Sequence, residues 1–226
     1  MVVSFPDLSV VIPARQAAAA LPATLAALGP WPREVIIADC GSADGTAVVA
    51  AELGARVVPA REGRGVQLAA GVAVAQGEWL LLLHADTVLA PGWAEAVADF
   101  VSAPGAQARA GYFRFRLDDA SAAARRLERA VAWRCRRLSL PYGDQGLLIH
   151  RDLLARVGGV PELPILEDVT LVRRLGRWRL APISADAVTS AERWRREGYL
   201  RRSARNLAIL SLWFAGVPPR LLVRLY

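Results

Sequence analysis

The chain has 226 residues, 54% of them hydrophobic, which is enough for one sizeable core and excludes a disordered chain. Its formal charge is +7, and all of its cationic side chains apart from two histidines are arginines. The arginines are scattered and not grouped in aromatic-interleaved tracts, so nucleic acid is excluded as a partner, whereas an anionic small substrate suits the guanidinium fork.

The opening Met1-Val2-Val3-Ser4-Phe5-Pro6 has no basic segment followed by an apolar run, so no signal peptide is expected. The longest apolar stretches fall short of the roughly 20 residues that span a bilayer, which makes a cytoplasmic protein the expectation. Peripheral contact with the inner face of a membrane and pairing into a homodimer both stay open. Cys40 and Cys135 have neither CxxC nor zinc-type spacing and are read as two buried or idle thiols, with a disulfide the lesser alternative.

In chain order, residues 8–12 form a short β-branched strand that Pro13 is expected to stop. Residues 17–28 read as a helix, 34–39 as a strand ending in Asp39, and 40–45 as a turn-rich loop. A helix follows over 46–53, a strand over 56–59, and a helix from Gly63-Arg64-Gly65 to Gln76. Residues 79–83 form a fourth strand that runs into His84-Ala85-Asp86. Strands alternating with helices imply an α/β domain with a mainly parallel central sheet, which binds ligands beyond the carboxyl ends of its strands. Arg15, Asp39, His84 and Asp86 collect at those ends.

The second half differs. Residues 111–117 alternate arginine with apolar residues, as a strand with one wet face does. Residues 122–138 form an arginine-dense helix with a stripe of Leu127, Val131 and Leu138. A strand over 146–150, a short helix over 152–157, a helix beginning at Glu167 or Asp168, and an amphipathic helix over 197–214 complete the expected elements. The Leu207–Phe214 stripe with Trp213 is read as core or a dimer face, with membrane docking the lesser alternative. No linker divides the chain, so residues 1–226 are expected to be one domain, with a nucleotide-binding half (1–102) and an acceptor-binding half (103–226) that ends in helices.

The order of motifs resembles the family 2 glycosyltransferases, inverting enzymes with the Rossmann-like GT-A fold. The resemblance rests on Val10-Val11-Ile12-Pro13, on Asp39 with Gly41-Ser42-Ala43-Asp44-Gly45-Thr46, on Gly63-Arg64-Gly65, on His84-Ala85-Asp86 and on Leu166-Glu167-Asp168. Tyr142 to Gly146, the Glu167-Asp168 pair and the tail from Thr189 look more narrowly similar to a bacterial subgroup associated with radical-SAM proteins and arsenosugar biosynthesis.

The resemblance implies a nucleoside diphosphate sugar as donor, a hydroxyl group as acceptor, and Mg²⁺ or Mn²⁺ held by Asp86. It implies Asp168 as the base, paired with Glu167, and a donor site built from Pro13, Arg15, Asp39, Arg64, His84, Ala85 and Asp86. His84 replaces the first acid of the family's Asp-x-Asp motif and either donates toward the ribose or closes the strand. Arg64 either contacts phosphate or base or is a surface arginine. Asp144 and Gln145 either bind acceptor hydroxyls or form an Asx turn, and Asp44 is expected to fix its own loop. Arg193-Trp194-Arg195-Arg196 either closes over the diphosphate or the acceptor, or packs the last helix through Trp194 with its arginines solvated, and His150 is expected to be a capping or core-edge residue. The family's Asn-Glu after the first strand is Gln16-Ala17 here, which leaves the choice of nucleotide open. Two rival readings remain: a nucleotidyltransferase of similar layout, and a non-catalytic nucleotide-sugar-binding module with a decayed site.

Overall fold

Apolar residues on both faces of a strand demand cover on both sides, and the first strand, β1 (Leu8–Ala14), is buried along its whole length. In the computed structural model, which describes residues 7–225, β1 lies between two parallel neighbours, β2 (Glu34–Asp39) and β4 (Trp79–Leu82). The β3 strand (Arg56–Pro59) pairs with β2 on the outer side, also in parallel. The segment Met1 to Pro6, where no signal peptide is expected, lies outside the described residues.

Pro13 does not stop β1. The strand continues with Pro13 opposite Ala38 and Ala14 opposite Asp39. Val11 faces β4, since its carbonyl accepts from Leu83 N–H, so Pro13 two residues on faces the same way. The ladder to β4 has already ended there, at Val11–Leu82, and the missing proline N–H costs no sheet bond.

The crossover helices α1 (Leu21–Leu28), α2 (Thr46–Glu52) and α3 (Arg64–Val74) are shorter than the alanine-rich sequence suggests. In α1 the first turn begins only beside Pro22, because a proline cannot supply the N–H an earlier start would need.

Past Leu82 the chain runs through β5 (Thr87–Leu89), α4 (Trp93–Ser102), β6 (Ala110–Leu117) and α5 (Ala122–Leu138). It continues with β7 (Leu147–His150), α6 (Arg151–Arg156), α7 (Glu167–Leu175) and β8 (Leu180–Thr189). It finishes with α8 (Glu192–Glu197), α9 (Tyr199–Phe214) and α10 (Pro219–Leu222). One eight-stranded sheet results, in the order β3-β2-β1-β4-β7-β6-β8-β5. Its first half is parallel; β7 runs against β4 and β6, and β5 against β8, while β6 and β8 are parallel. Two apolar layers cover the faces. Leu8, Val10 and Ile12 pack with α1 and α4, and Val11 packs toward Leu68, Leu153 and Leu171 of α3, α6 and α7.

The elements between residues 87 and 109, and β8, were not expected from the sequence. In β8 the inward positions are Ala181, Ile183, Ala185 and Ala187, an alternation of mostly small residues that carries little apolar signal. Pro182 sits beside the register shift against β6, where a ladder bond is dispensable.

In α5 the buried face is Ala124, Glu128, Val131 and Cys135, while Leu138 is 53% exposed, which corrects the expected stripe. Glu128 turns inward because Arg116, Arg125 and Leu117 N–H all donate to it. Both cysteines are free thiols. On β6, Arg114 and Arg116 occupy the wet face and pair with Asp186 of β8.

Candidate active site

At the carboxyl ends of β1 and β2, two loops are stitched together. Gln16 N–H donates to Ser42 Oγ (2.9 Å), Ala17 N–H to Thr46 Oγ1 (2.8 Å) and Ala18 N–H to Asp44 Oδ2 (3.0 Å). The Gln16 amide oxygen accepts Asp44 N–H in return, with Gln16 held at a φ of 50°. Asp44 thus fixes its loop, and its bond from the Thr46 hydroxyl holds its carboxyl below the usual range. Asp39 is buried and accepts from Gly41 N–H and Ser42 N–H, each at 3.0 Å, and from the Ser42 hydroxyl. A carboxylate has about four lone-pair sites, so these bonds orient Asp39 without exhausting it.

A residue not singled out in the sequence joins the two strand ends: buried Gln67 donates to the carbonyls of Ala14 (2.7 Å) and Ala38 (2.8 Å). Pro13 is enclosed in the sheet, and Arg15 is exposed and paired with Glu62.

Beyond β4 the backbone of His84-Ala85-Asp86 is clamped from both sides. Thr24 Oγ1 donates to the Ala85 carbonyl at 2.8 Å, and Ser190 N–H to the Asp86 carbonyl at 3.3 Å. The half-buried Asp86 carboxylate accepts no hydrogen bond and joins no salt bridge among the described residues. His84 beside it is neutral. Burial, reinforced by the Arg64 guanidinium, pushes its imidazole down to about 4 against the pull of Asp86 and Asp168; Arg193 adds to the downward push. Four charged groups from four separate segments therefore converge on one imidazole.

Gly143 is where these segments touch. Its N–H donates to Asp168 Oδ2 at 2.7 Å, and a Cβ there would meet His84 Nε2 at 2.6 Å and Asp168 Oδ2 at 3.2 Å. Only glycine leaves room for both. Asp168 Oδ1 accepts Val169 N–H at 2.7 Å, so each carboxylate oxygen is aimed by one amide.

Glu167 beside it is 1% exposed and accepts Arg64 Nε–H at 2.6 Å; its other oxygen, Oε2, is buried without a partner. Burial pushes the Glu167 carboxyl up to about 7; Arg64 opposes the shift and Asp168 adds to it. Arg64 thus belongs to the acid pair's side of the cleft, neither a surface arginine nor, in this structure, turned away from the core. The flanking glycines serve backbone contact: a Cβ on Gly65 would lie 2.0 Å from the Pro161 carbonyl oxygen. Leu166, with a φ of 63°, makes the sharp entry that brings the acids to the wall.

Asp144 is drawn into the same cluster. Its Oδ1 is buried and unpartnered, and burial pushes its carboxyl up to about 6, with Asp168 and Asp86 adding to the shift. Gln145, expected near the acceptor, points inward instead. It is 2% exposed and donates to the Phe113 carbonyl (2.9 Å), while its oxygen accepts from Cys135 Sγ and Tyr142 N–H. That makes it the anchor of the Asp144 loop. The Arg134 guanidinium stacks 3.4 Å from the Tyr142 ring centre on the same loop. His150 caps α6 by accepting Asp152 N–H and packs edge-on against Trp79. Trp194 stacks on Tyr199, leaving Arg195 and Arg196 exposed. Between the polar groups an apolar pocket is lined by Leu68, Leu82, Leu147, Val160 and Leu171, with His84, Glu167 and Asp168 at its rim.

Residues 9–152 match the model of glycosyl transferase family 2. The chain belongs to that family. No curated protein matches it. Among solved structures, this family 2 chain is similar to glucosyl-3-phosphoglycerate synthase of Mycobacterium tuberculosis in complex with Mn²⁺, UDP and glucosyl-3-phosphoglycerate. The identity is 21%, the TM-score 0.65, and the match covers 94% of this chain and 81% of that one. The same enzyme in complex with phosphoglyceric acid matches at 22% identity and a TM-score of 0.60, over 80% and 70%. Mannosyl-3-phosphoglycerate synthase of Rubrobacter xylanophilus matches at 21% and 0.57, over 89% and 74%. These likenesses establish the GT-A fold expected from the motifs.

Among the described residues no three His, Cys, Asp or Glu side chains stand together to hold a metal ion alone. One unpartnered carboxylate, Asp86, with a neutral imidazole two residues before it, fits an ion that takes most of its ligands from a diphosphate and water. Mg²⁺ is commonly held that way, by one or two carboxylates plus substrate phosphates.

Proposed function

We propose that this family 2 chain transfers a sugar from a nucleoside diphosphate sugar to an acceptor hydroxyl, with a divalent cation and with inversion at the anomeric carbon. The observation that carries the reading is the convergence of Asp86, Asp168, Arg64 and Arg193 on His84. These are the groups needed to receive a leaving diphosphate and to take a proton from an alcohol.

In this mechanism the bond from the anomeric carbon to the diphosphate oxygen breaks as the acceptor oxygen bonds to the opposite face of that carbon. Asp168, its oxygens aimed by Gly143 N–H and Val169 N–H, takes the hydroxyl proton. Glu167 is a positioning residue that holds Arg64. Asp86, with Mg²⁺ or Mn²⁺, would hold the diphosphate; the ion supplies charge neutralisation for the leaving group. Arg193 faces the same developing charge. Asp39 orients the nucleobase, with Pro13, Arg15 and Ala85 shaping the donor cradle, and Asp144 faces the acceptor. A neutral His84 is suited to donate one hydrogen bond to the donor while adding no positive charge.

The Mycobacterium tuberculosis synthase is also solved in complex with Mn²⁺, UDP-glucose and glycerol 3-phosphate, which supports a uridine nucleotide and an anionic acceptor as the first to try. The subgroup associated with arsenosugar biosynthesis, a hexose as the transferred sugar, and a cytoplasmic site of action belong to this proposal.

The test is incubation with UDP-, GDP- and dTDP-sugars plus Mn²⁺ and a panel of hydroxyl acceptors. Nucleoside diphosphate release should accompany glycoside formation, and Asp86→Asn should reduce it on the order of a thousandfold with the circular dichroism spectrum unchanged. Release of inorganic pyrophosphate instead would mean nucleotidyl transfer. Donor binding without turnover in the presence of every acceptor would mean a binding module.

A further inference from the structure

Helix α9 has an outward face that a water-facing helix does not normally carry. Its exposed residues include Leu200 (88% exposed), Leu207 (64%) and Phe214 (50%), separated by the small exposed residues at 204, 208 and 211. The only charged residue among its exposed positions is Arg201. The expected apolar stripe therefore splits: Ile209 and Trp213 pack inward with Ile165 and Leu222, while Leu207 and Phe214 point outward. Past the helix, Leu221 and Leu225 are exposed as well.

Past Gly198 the exposed charged side chains are Arg201, Arg220 and Arg224. No Asp or Glu occurs from Gly198 to the end of the chain, a stretch that contains five arginines, of which Arg202 and Arg205 are paired with Glu197 just before α9. None occurs from Val169 to Ala185 either, where Arg173 lies 4.9 Å over the Phe214 ring and Trp178, between Arg177 and Arg179, is 86% exposed. Apolar and aromatic side chains rimmed by arginine are the composition of a surface that sits in the headgroup layer of an anionic bilayer.

We propose that this face docks the protein on anionic lipid, with α9 lying in the interface. At 16 residues, or about 24 Å, α9 is shorter than the roughly 30 Å hydrocarbon core, so it lies on the bilayer and does not cross it. Among the described residues no helix is long and apolar enough to span. A second copy of the chain is the poorer occupant, because a two-fold contact would bring the exposed arginines of these rims against each other. The proposal stands apart from sugar transfer and does not depend on it.

The test is co-sedimentation of the full chain with phosphatidylcholine vesicles and with mixed phosphatidylcholine–phosphatidylglycerol vesicles. Partition onto the anionic vesicles should be more than about tenfold stronger, and should weaken with salt. The double substitution Leu207→Ser/Phe214→Ser should reduce it more than about tenfold while leaving thermal unfolding unchanged, and Trp178→Ala should reduce it separately. Equal or absent binding to the two vesicle types overturns the proposal. So does anionic binding that survives the double substitution, or a concentration-dependent dimer in sedimentation that the double substitution abolishes.

Discussion

The two halves of the cleft satisfy their polar groups in opposite ways. On the proposed donor side, Asp39 and Asp44 are bonded within their loop, Asp44 also accepts Ala18 N–H, and Gln16 and Gln67 tie loops and strands together across 28 and 53 residues. On the acid side, contacts between distant segments leave buried oxygens unsatisfied. Arg64 and Glu167 are 103 residues apart, Gly143 and Asp168 are 25 apart, and Asp144 and Glu167 each keep a buried oxygen without a partner. The polar groups of the donor side are thus held by partners from two loops and three elements, whereas the acid cluster is left with buried oxygens that no neighbour satisfies. Perturbations should therefore be mild and local on the donor side and far-reaching on the other.

The contrast is sharpest between glycines. Gly65→Ala places a methyl 2.0 Å from a backbone carbonyl that has no side chain to swing aside, and should cost about 3 kcal/mol in urea unfolding. Gly45→Ala, in the donor loop with a φ of 85° and open space around it, should cost only about 1 kcal/mol. Near-equal losses would erase the distinction between the two sides.

Gly143→Ala meets mainly the end of the His84 ring, which can turn away. Stability should change little, but displacing His84 and Asp168 should lower the transfer rate about a hundredfold in initial-rate assays.

A pH series isolates Glu167. Its carboxyl is raised from 4.5 to about 7, so between those values the folded protein binds more protons than the unfolded chain, and stability falls as pH rises through the window. His84, lowered from 6.5 to about 4, acts in the opposite direction, so the comparison has to be with a variant. Glu167→Gln should gain stability relative to the parent from pH 5 to pH 7, with a slope on the order of 1.4 kcal/mol per pH unit at most. A constant difference between the two would show that Glu167 is ionised throughout.

The smallest effects come from two neighbouring arginines. Arg195 is exposed and sits 4.0 Å from Asp118, so Arg195→Ala should change stability by less than about 0.5 kcal/mol and leave the rate unaltered. Arg193→Ala, although equally exposed, should slow transfer about tenfold because its charge reaches His84. Identical rates for the two variants would remove Arg193 from the site.

The amino-acid sequence by itself determined the parallel strands, the carboxylates at their ends, the loop-fixing role of Asp44 and the span of α5. Each depends on apolar runs or turn residues within a few positions. Only the tertiary structure decided that Pro13 lies inside its strand, that Glu128 and not Leu138 faces the core, that Gln145 is an anchor, and that Arg64 serves Glu167. It also decided that small alternating residues form the long strand β8. These outcomes turn on which neighbour is missing a donor, an acceptor or a methyl-sized space, and such neighbours are brought together by packing, not by the order of the chain.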